Sequence, residues 1–417
     1  MENFDVVVIG AGPSGSVAAS WLKLNGYRVL VLERETFPRF QIGESLLPCC
    51  MTHLEASELL DAVKAQHFQV KSGAAFVKDG KRFEFYFNDQ YTENAWTYTW
   101  QVKRADFDLA LITETERKGV PVRFRSEVVA VRNSDDYQEI DYKDEHNNTY
   151  TVGCRYIIDA SGYGRVLPRL FDLNQPSRFT ARGAVFSHVR DVNRNDLTSA
   201  NIFVHSFDNN RSWIWAIPFS DGTTSVGIVG DQEYIRGMAD DGGIRYKEFI
   251  QNFEGLEGRF SQSEFLFEPR AILGYSIGIK QMYGPGFVLA GNSTEFLDPI
   301  FSSGVTFATA SGLLSARLVH KHLSGEKVDW KKEYEDVVQK GIDVFRSYVS
   351  GWYNGDFQTI IFTDGIDPMI KRQICSVLAG YVWDESNPFV KKHDTILATL
   401  AQVIRLRDKA RMQAGGQ

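Results

Sequence analysis

Apolar residues run together from Asp5 to Ile9, stop at a GAGPSG turn over Gly10 to Gly15, and return at helical spacing through Val17, Ala18, Ala19 and Leu22. This pattern predicts a buried strand feeding a helix. Short apolar runs recur at Arg28–Leu32, Val128–Val131, Tyr156–Ala160 and Phe287–Ala290, and a helical pattern through Phe107, Leu111 and Ile112 follows Arg104. Such runs, alternating with helices, predict a parallel sheet covered on both faces. Between them the rhythm changes. Val70–Phe87 alternates and is rich in aromatics, Tyr91–Trp100 is strand-like, and Ala181–Val229 holds apolar strands separated by Asn, Asp and Gly turns, which predicts a second sheet. After Trp330 the pattern is mainly helical, and MQAGGQ is expected as a frayed tail.

The predicted fold is therefore α/β: a discontinuous Rossmann-like domain, an inserted and mainly antiparallel sheet domain, and a helical C-terminal region. Segments 1–69, 101–180 and 271–325 are assigned to the first, 70–100 and 181–270 to the second, and 326–417 to the third.

Composition narrows the class further. With 417 residues, 43% hydrophobic and 24% charged, the chain can bury a large core, so a disordered or fibrous protein is excluded. The net charge of -7 is spread along the chain and argues against a nucleic-acid partner. Cys49, Cys50, Cys154 and Cys375 have no zinc or redox-pair spacing, no metal site is expected, and a reducing, cytoplasmic compartment fits. MENFDVVVIG has charges where a secretory leader needs apolar residues, and Pro299–Ala316 is broken by Pro299, Gly304 and Gly312, so neither a leader nor a membrane span is expected.

The first chemistry lies in the glycine turn. Gly10 can turn without a side-chain penalty, Gly12 lets backbone approach a pyrophosphate, and Gly15 permits close helix packing, with Pro13 and Ser14 opening the helix. Glu33 ends the second strand, where its carboxylate can accept ribose hydroxyls and disfavours a 2'-phosphate. Strand, turn, helix, strand and terminal acid together predict a dinucleotide site, with FAD and NAD both open. Later pieces favour FAD: Gly43, Glu44 and Ser45 in one polar segment, Arg104 before a helix, the DASGYG turn after Tyr156–Ala160, and a third crossing into GNSTEFLDPIFSSGV. There Asn292 suits a ribityl or phosphate group, and Gly304 can bring N–H groups to a flavin. Each piece alone is equally an ordinary cap or surface group.

GAGPSG at Gly10–Gly15, ESLLP at Glu44–Pro48, Lys71, WIWAIP at Trp213–Pro218 and EFLDPIFSSGV at Glu295–Val305 together resemble the flavin-dependent halogenases over most of residues 1–320. WIWAIP keeps that family's WxWxIP form intact and is more specific than the flavin turns. The resemblance implies FAD held by Gly10, Gly12, Pro13, Ser14, Gly15, Glu33, Arg34, Ser45, Arg104, Val128, Asp159, Gly291, Asn292, Asp298, Pro299, Gly304 and Val305. It implies halide at Ser303 and Gly304, and a flavin and substrate side formed by Trp213, Trp215, Ile217, Pro218 and Phe301. In the family the tryptophans discourage ordinary monooxygenation, and the lysine matching Lys71 receives hypohalous acid as a haloamine or through a hydrogen bond.

Two departures matter. Phe301 stands where similar tryptophan halogenases carry a glutamate, which favours a self-activated ring such as a phenol or pyrrole. Asn292 stands where many related flavoproteins have Asp, which keeps a neutral hydrogen bond and loses a charge. The expected activity is chlorination or bromination of a phenolic or other electron-rich aromatic natural product. It uses O2, halide and reduced FAD from a separate NAD(P)H-dependent flavin reductase, on a free small molecule or an aromatic acyl group carried by a carrier protein. An FAD-dependent aromatic monooxygenase, an isoprenoid-chain reductase and a non-enzymatic flavin sensor are the alternatives.

Overall fold

The computed structural model describes residues 1–134, 137–177, 180–194 and 200–415. The strand Glu2–Ile9 becomes fully buried from Val6 onward because it lies between two parallel neighbours, Thr149–Asp159 and Val29–Leu32, with Val8 opposite Ile158 and Val31. Phe287–Leu289 adds in parallel beside Thr149–Asp159, and the sheet ends at Tyr283–Gly284 on one side and Val122–Arg123 on the other. The helix Pro13–Leu24 packs on the long helix Gly304–Leu323 so closely that a Cβ on Gly312 would lie 2.5 Å from Ser14 O. Pieces of the nucleotide domain nearly 300 residues apart in sequence are thus welded at its first turn.

The second sheet has seven strands in the order Arg270–Leu273, Arg182–Arg190, Thr223–Asp231, Ser212–Pro218, Ile202–Phe207, Gly73–Lys78 and Lys81–Tyr86. All neighbours are antiparallel except Ile202–Phe207 with Gly73–Lys78. That parallel pair joins the two inserted segments into one layer. The architecture is the predicted one: Rossmann-like domain, inserted sheet and helical C-terminal region. The helix Asp336–Asn354 packs its apolar face partly on the inserted sheet, Trp352 against Phe76, and partly on the nucleotide domain, Phe345 against Phe301 and Phe307.

Two local expectations change. Within Tyr91–Trp100 only the last two residues are in a strand, Thr99–Gln101, which pairs with Gln69–Lys71 outside the main sheet. Upstream, side chains of the C-terminal region occupy the groups a sheet would pair: Tyr91 N donates to Ser376 Oγ at 2.8 Å and Trp96 N to Tyr381 Oη at 2.8 Å. The final helix, His393–Gly415, continues into the expected tail because each added residue closes another backbone bond, and residues 416–417 lie outside the described residues. Residues 195–199 of the expected strand region also lie outside them. No helix among the described residues is long and apolar enough to cross a membrane.

Candidate functional site

The carboxyl ends of Glu2–Ile9, Thr149–Asp159 and Phe287–Leu289 open into a large cleft, and a second, much smaller cavity lies beside Lys71. Open α/β sheets bind ligands at this end of their strands. Gly10 has φ +100, and a Cβ there would lie 2.6 Å from Ala160 O. Gly15 would put a Cβ 1.9 Å from Gly10 O, so its bare backbone is what lets the helix start against the strand. The helix N-terminus has no side-chain cap, which leaves its first N–H groups to a ligand. Ser14 Oγ, in the cleft wall, is buried with no hydrogen-bond partner among the described residues.

Glu33 is held in place by the loop it serves. Its Oε2 accepts from Ala11 N and its Oε1 from Glu35 N, both at 2.8 Å, and each oxygen keeps a lone pair toward the cleft for a ribose hydroxyl. Arg104 is clamped to buried Asp108 by bonds of 2.8 and 2.9 Å and donates to Ile42 O at 3.0 Å. Arg39, absent from the sequence reading, sets its Nη1 3.4 Å from the same Asp108, and its Nη2 would stand 3.4 Å from a Cβ on Gly12. Nη1 is buried without a hydrogen bond among the described residues. Arg39 and the free helix N-terminus at the glycine turn, with Arg104 beside Gly43 in the same cleft wall, form a donor set that fits the pyrophosphate of FAD. We expect Arg39→Gln to raise the FAD dissociation constant about 10-fold, the loss of one charge-assisted bond, as read by fluorescence titration of the apoprotein.

Arg34, Ser45, Gly291, Asn292, Pro299, Gly304 and Val305 also line this cleft, as do Trp213, Trp215 and Ile217. The other expected residues sit elsewhere. Val128 is a buried strand residue, and Pro218 ends the Trp213 strand outside the cleft wall. Asp159 accepts from Ser161 N, Leu167 N and Ser293 Oγ, so its carboxylate, pushed up by burial, ties the DASGYG turn to the third crossing. Asp298 caps the turn Pro299–Phe301 by accepting from Ile300 N. Ser303 is buried directly before the helix Gly304–Leu323, while its neighbour Ser302 faces the cleft. The indoles of Trp213 and Trp215 lie 5.8 Å apart, and Trp215 has its place because Gly227, opposite it in the register, leaves room: a Cβ there would lie 2.1 Å from the ring.

Lys71 lies apart from the cleft, in the cavity walled by Phe76, Phe85, Ile300, Phe301 and Leu378. Ile202 and Ser302 belong to both walls and form the partition between the two spaces. The amine is 1% exposed and donates to Ser45 Oγ at 2.9 Å and Leu46 O at 2.8 Å. Ser45 therefore touches Lys71 and the cleft together. Burial lowers the Lys71 amine to about 7, against a smaller upward pull from Cys50. Near neutrality a large share of this lysine is an uncharged amine with a free lone pair. The open space beside it admits about one water-sized molecule, because Phe301 is packed among Phe76, Trp352 and Phe357.

Arg39, Ile202, Ser302 and Asp108 carry no pattern that sequence reading could isolate.

Comparison with known proteins agrees with this geometry. Residues 3–209 match the FAD binding domain model. A solved flavoprotein/dehydrogenase from Cytophaga hutchinsonii is 48% identical over 98% of this chain and all of its own, with TM-score 0.95. A 1H-pyrrole-2-carbonyl-[peptidyl-carrier protein] chlorinase from Pseudomonas fluorescens is 27% identical over 92% of this chain and 90% of its own. A tryptophan 2-halogenase from Chondromyces crocatus is 30% identical over 77% of this chain and 62% of its own. The chain is an FAD-binding oxidoreductase of the same flavoprotein family as the Cytophaga hutchinsonii protein, and it is similar in sequence to flavin-dependent halogenases. With carrier-directed and tryptophan-directed relatives at similar identity, the expected leaning toward phenol and pyrrole members is not a property of the family match.

Proposed function

We propose that this protein uses reduced FAD, O2 and chloride or bromide to halogenate a phenolic or other electron-rich aromatic ring, with hypohalous acid passed to Lys71. The observation that carries the reading is the buried Lys71 amine, lowered to about 7, in a cavity that shares Ile202 and Ser302 with the FAD cleft. Bound reduced FAD supplies the activation of O2 that oxidises halide to hypohalous acid.

The chain's own residues do the rest. Backbone N–H groups at Ser303 and Gly304, at the positive end of a 20-residue helix, hold the halide. Trp213 and Trp215 fill the sheet side of the cleft, where a monooxygenase or an isoprenoid-chain reductase would seat its organic substrate. The neutral Lys71 amine takes the halogen from hypohalous acid and releases water. The aromatic carbon then takes the halogen from nitrogen and gives up its proton, which restores the amine. Alternatively, Lys71 holds hypohalous acid intact by a hydrogen bond while the ring attacks it. The small, aromatic-walled space beside Lys71 leaves little room for water to compete for the oxidant.

An apolar residue at Phe301 gives no carboxylate to assist the ring, which supports a substrate activated by its own hydroxyl or pyrrole nitrogen. The likeness to a carrier-directed chlorinase supports an aromatic acyl group on a carrier protein as one form of that substrate. Electrons come from a separate NAD(P)H-dependent flavin reductase. The test is an aerobic assay with FAD, such a reductase and separate chloride and bromide pools, read by mass spectrometry over phenols, pyrroles and carrier-bound aromatics. A halide isotope pattern in the product is expected, and oxygenated product independent of halide would replace this reading with monooxygenation.

A further inference from the structure

Tyr353 stands in the last turn of the helix Asp336–Asn354, in the C-terminal region, yet its phenol reaches the flavin cleft wall. Trp213 Nε1 donates to Tyr353 Oη at 3.0 Å, and Tyr353 Oη donates to Asp298 Oδ2 at 2.9 Å. Indole can only donate and the phenol has one proton, so the chain has a fixed direction from tryptophan through tyrosine to carboxylate. Bonds in such a chain polarise one another. Asp298 Oδ1 accepts from Ile300 N at 3.0 Å and so shapes the turn that runs into Ser302, Ser303 and Gly304. Tyr275, whose ring lines the cleft, donates to Asp298 Oδ2 at 3.2 Å without touching this link to Trp213. On the other side, the Arg182 guanidinium lies 3.5 Å from the centre of the Tyr353 ring and fixes its plane. Trp213 and Asp298 are buried, so water does not readily replace a lost partner.

We propose that Tyr353 is a positioning residue of the flavin site: its hydroxyl locks the Trp213 indole and the 298–304 loop in one mutual arrangement, and thereby makes the C-terminal helices part of the cofactor pocket. Trp213 lines the cleft and the loop supplies Pro299, Ser302 and Gly304 to its wall, so two separate elements of the pocket depend on one hydroxyl group. The consequence for flavin binding rests only on the FAD site, while the consequence for product yield rests on the halogenase reading above.

The experiment compares full-length Tyr353→Phe with Tyr275→Phe. Both remove a donor to Asp298, and only the first also orphans Trp213. Tyr353→Phe is expected to raise the FAD dissociation constant about 10-fold, to alter the visible spectrum of bound FAD, and to at least halve the halogenated product formed per reduced FAD consumed. Tyr275→Phe keeps the ring in the cleft wall and loses only the hydroxyl bound to Asp298, and is expected to stay within about 3-fold of the unaltered protein in affinity and to keep its spectrum. Equal effects of the two substitutions, or a Tyr353→Phe protein with unchanged affinity and spectrum, overturn the proposal. Should Tyr353→Phe not fold, Trp213→Phe, which removes the indole N–H, carries the test, and an unchanged FAD affinity and spectrum there overturn it equally. If the unaltered protein forms no halogenated product, affinity and spectrum decide alone.

Discussion

Lys71→Met is expected to lower halogenated product by at least about 100-fold, the scale of losing a group that acts directly on the reacting atoms, while FAD affinity stays within about twofold. The separation follows from geometry: Lys71 lies in its own cavity and contributes no atom to the cleft wall. Halogenation at an unchanged rate would remove Lys71 from the reaction. The same variant has a stability signature. The folded-state value of about 7 lies below the ordinary 10.5, so between these two the unfolded chain binds a proton that the folded chain does not. The burial penalty is therefore fully present below about pH 7 and fades as pH rises toward 10.5. Native stability should rise through that window by up to roughly 1.4 kcal/mol per pH unit. Lys71→Met lacks this term, so its stability relative to the unaltered protein is expected to be greatest at pH 6 and to fall steadily by pH 9. Urea unfolding at pH 6, 7.5 and 9 measures the difference, and parallel pH profiles for the two proteins would contradict a buried neutral amine.

Gly15→Ala is expected to cost the largest share of cofactor binding of any single methyl group added to the chain. Its Cβ would meet Gly10 O at 1.9 Å and Val8 Cγ1 at 3.3 Å, and the first obstacle is backbone of the cofactor turn itself. Relief requires the helix Pro13–Leu24 to back away from the strand, which carries its N–H groups away from the pyrophosphate. A loss of roughly 3 kcal/mol of stability, the upper end for overpacking, and a rise of at least about 100-fold in the FAD dissociation constant should accompany it; this affinity loss is about 2.7 kcal/mol. Gly26→Ala is the control. At φ +86 with nothing within 4 Å, it adds only local backbone strain of about 1 kcal/mol and should leave FAD affinity unchanged. Thermal unfolding and flavin titration of both variants separate a steric lesion at the turn from general destabilisation.

The nucleotide half of the site was legible because its determinants are contiguous. Gly10, Gly12, Gly15 and Glu33 belong to one strand, turn, helix and strand, and the sterics that require each glycine act between neighbours within one unit. Trp213, Trp215 and Lys71 were legible through the motif resemblance. Arg39 was not, since in TFPRFQIGES it has no periodicity to set it apart from a surface arginine, and only Asp108 and Gly12 give it a function. The run Tyr91–Trp100 read as strand because it is aromatic and β-prone, whereas its partners proved to be Ser376 and Tyr381, nearly 300 residues away.

By itself, then, the sequence determined the glycine turn between strand and helix, the acid that closes the second strand, the alternation of two sheet rhythms and the chemical identity of the side chains. These follow from short-range sterics and from side-chain type. The tertiary structure decided which of those groups meet and in what state. It brought Trp213, Asp298 and Tyr353 into one hydrogen-bonded line, set Ile202 and Ser302 between the cleft and Lys71, and withdrew that lysine from water far enough to leave much of it uncharged near pH 7. Burial and hydrogen-bond partnership are sums over everything packed around an atom, and here those surroundings come from segments separated by hundreds of residues.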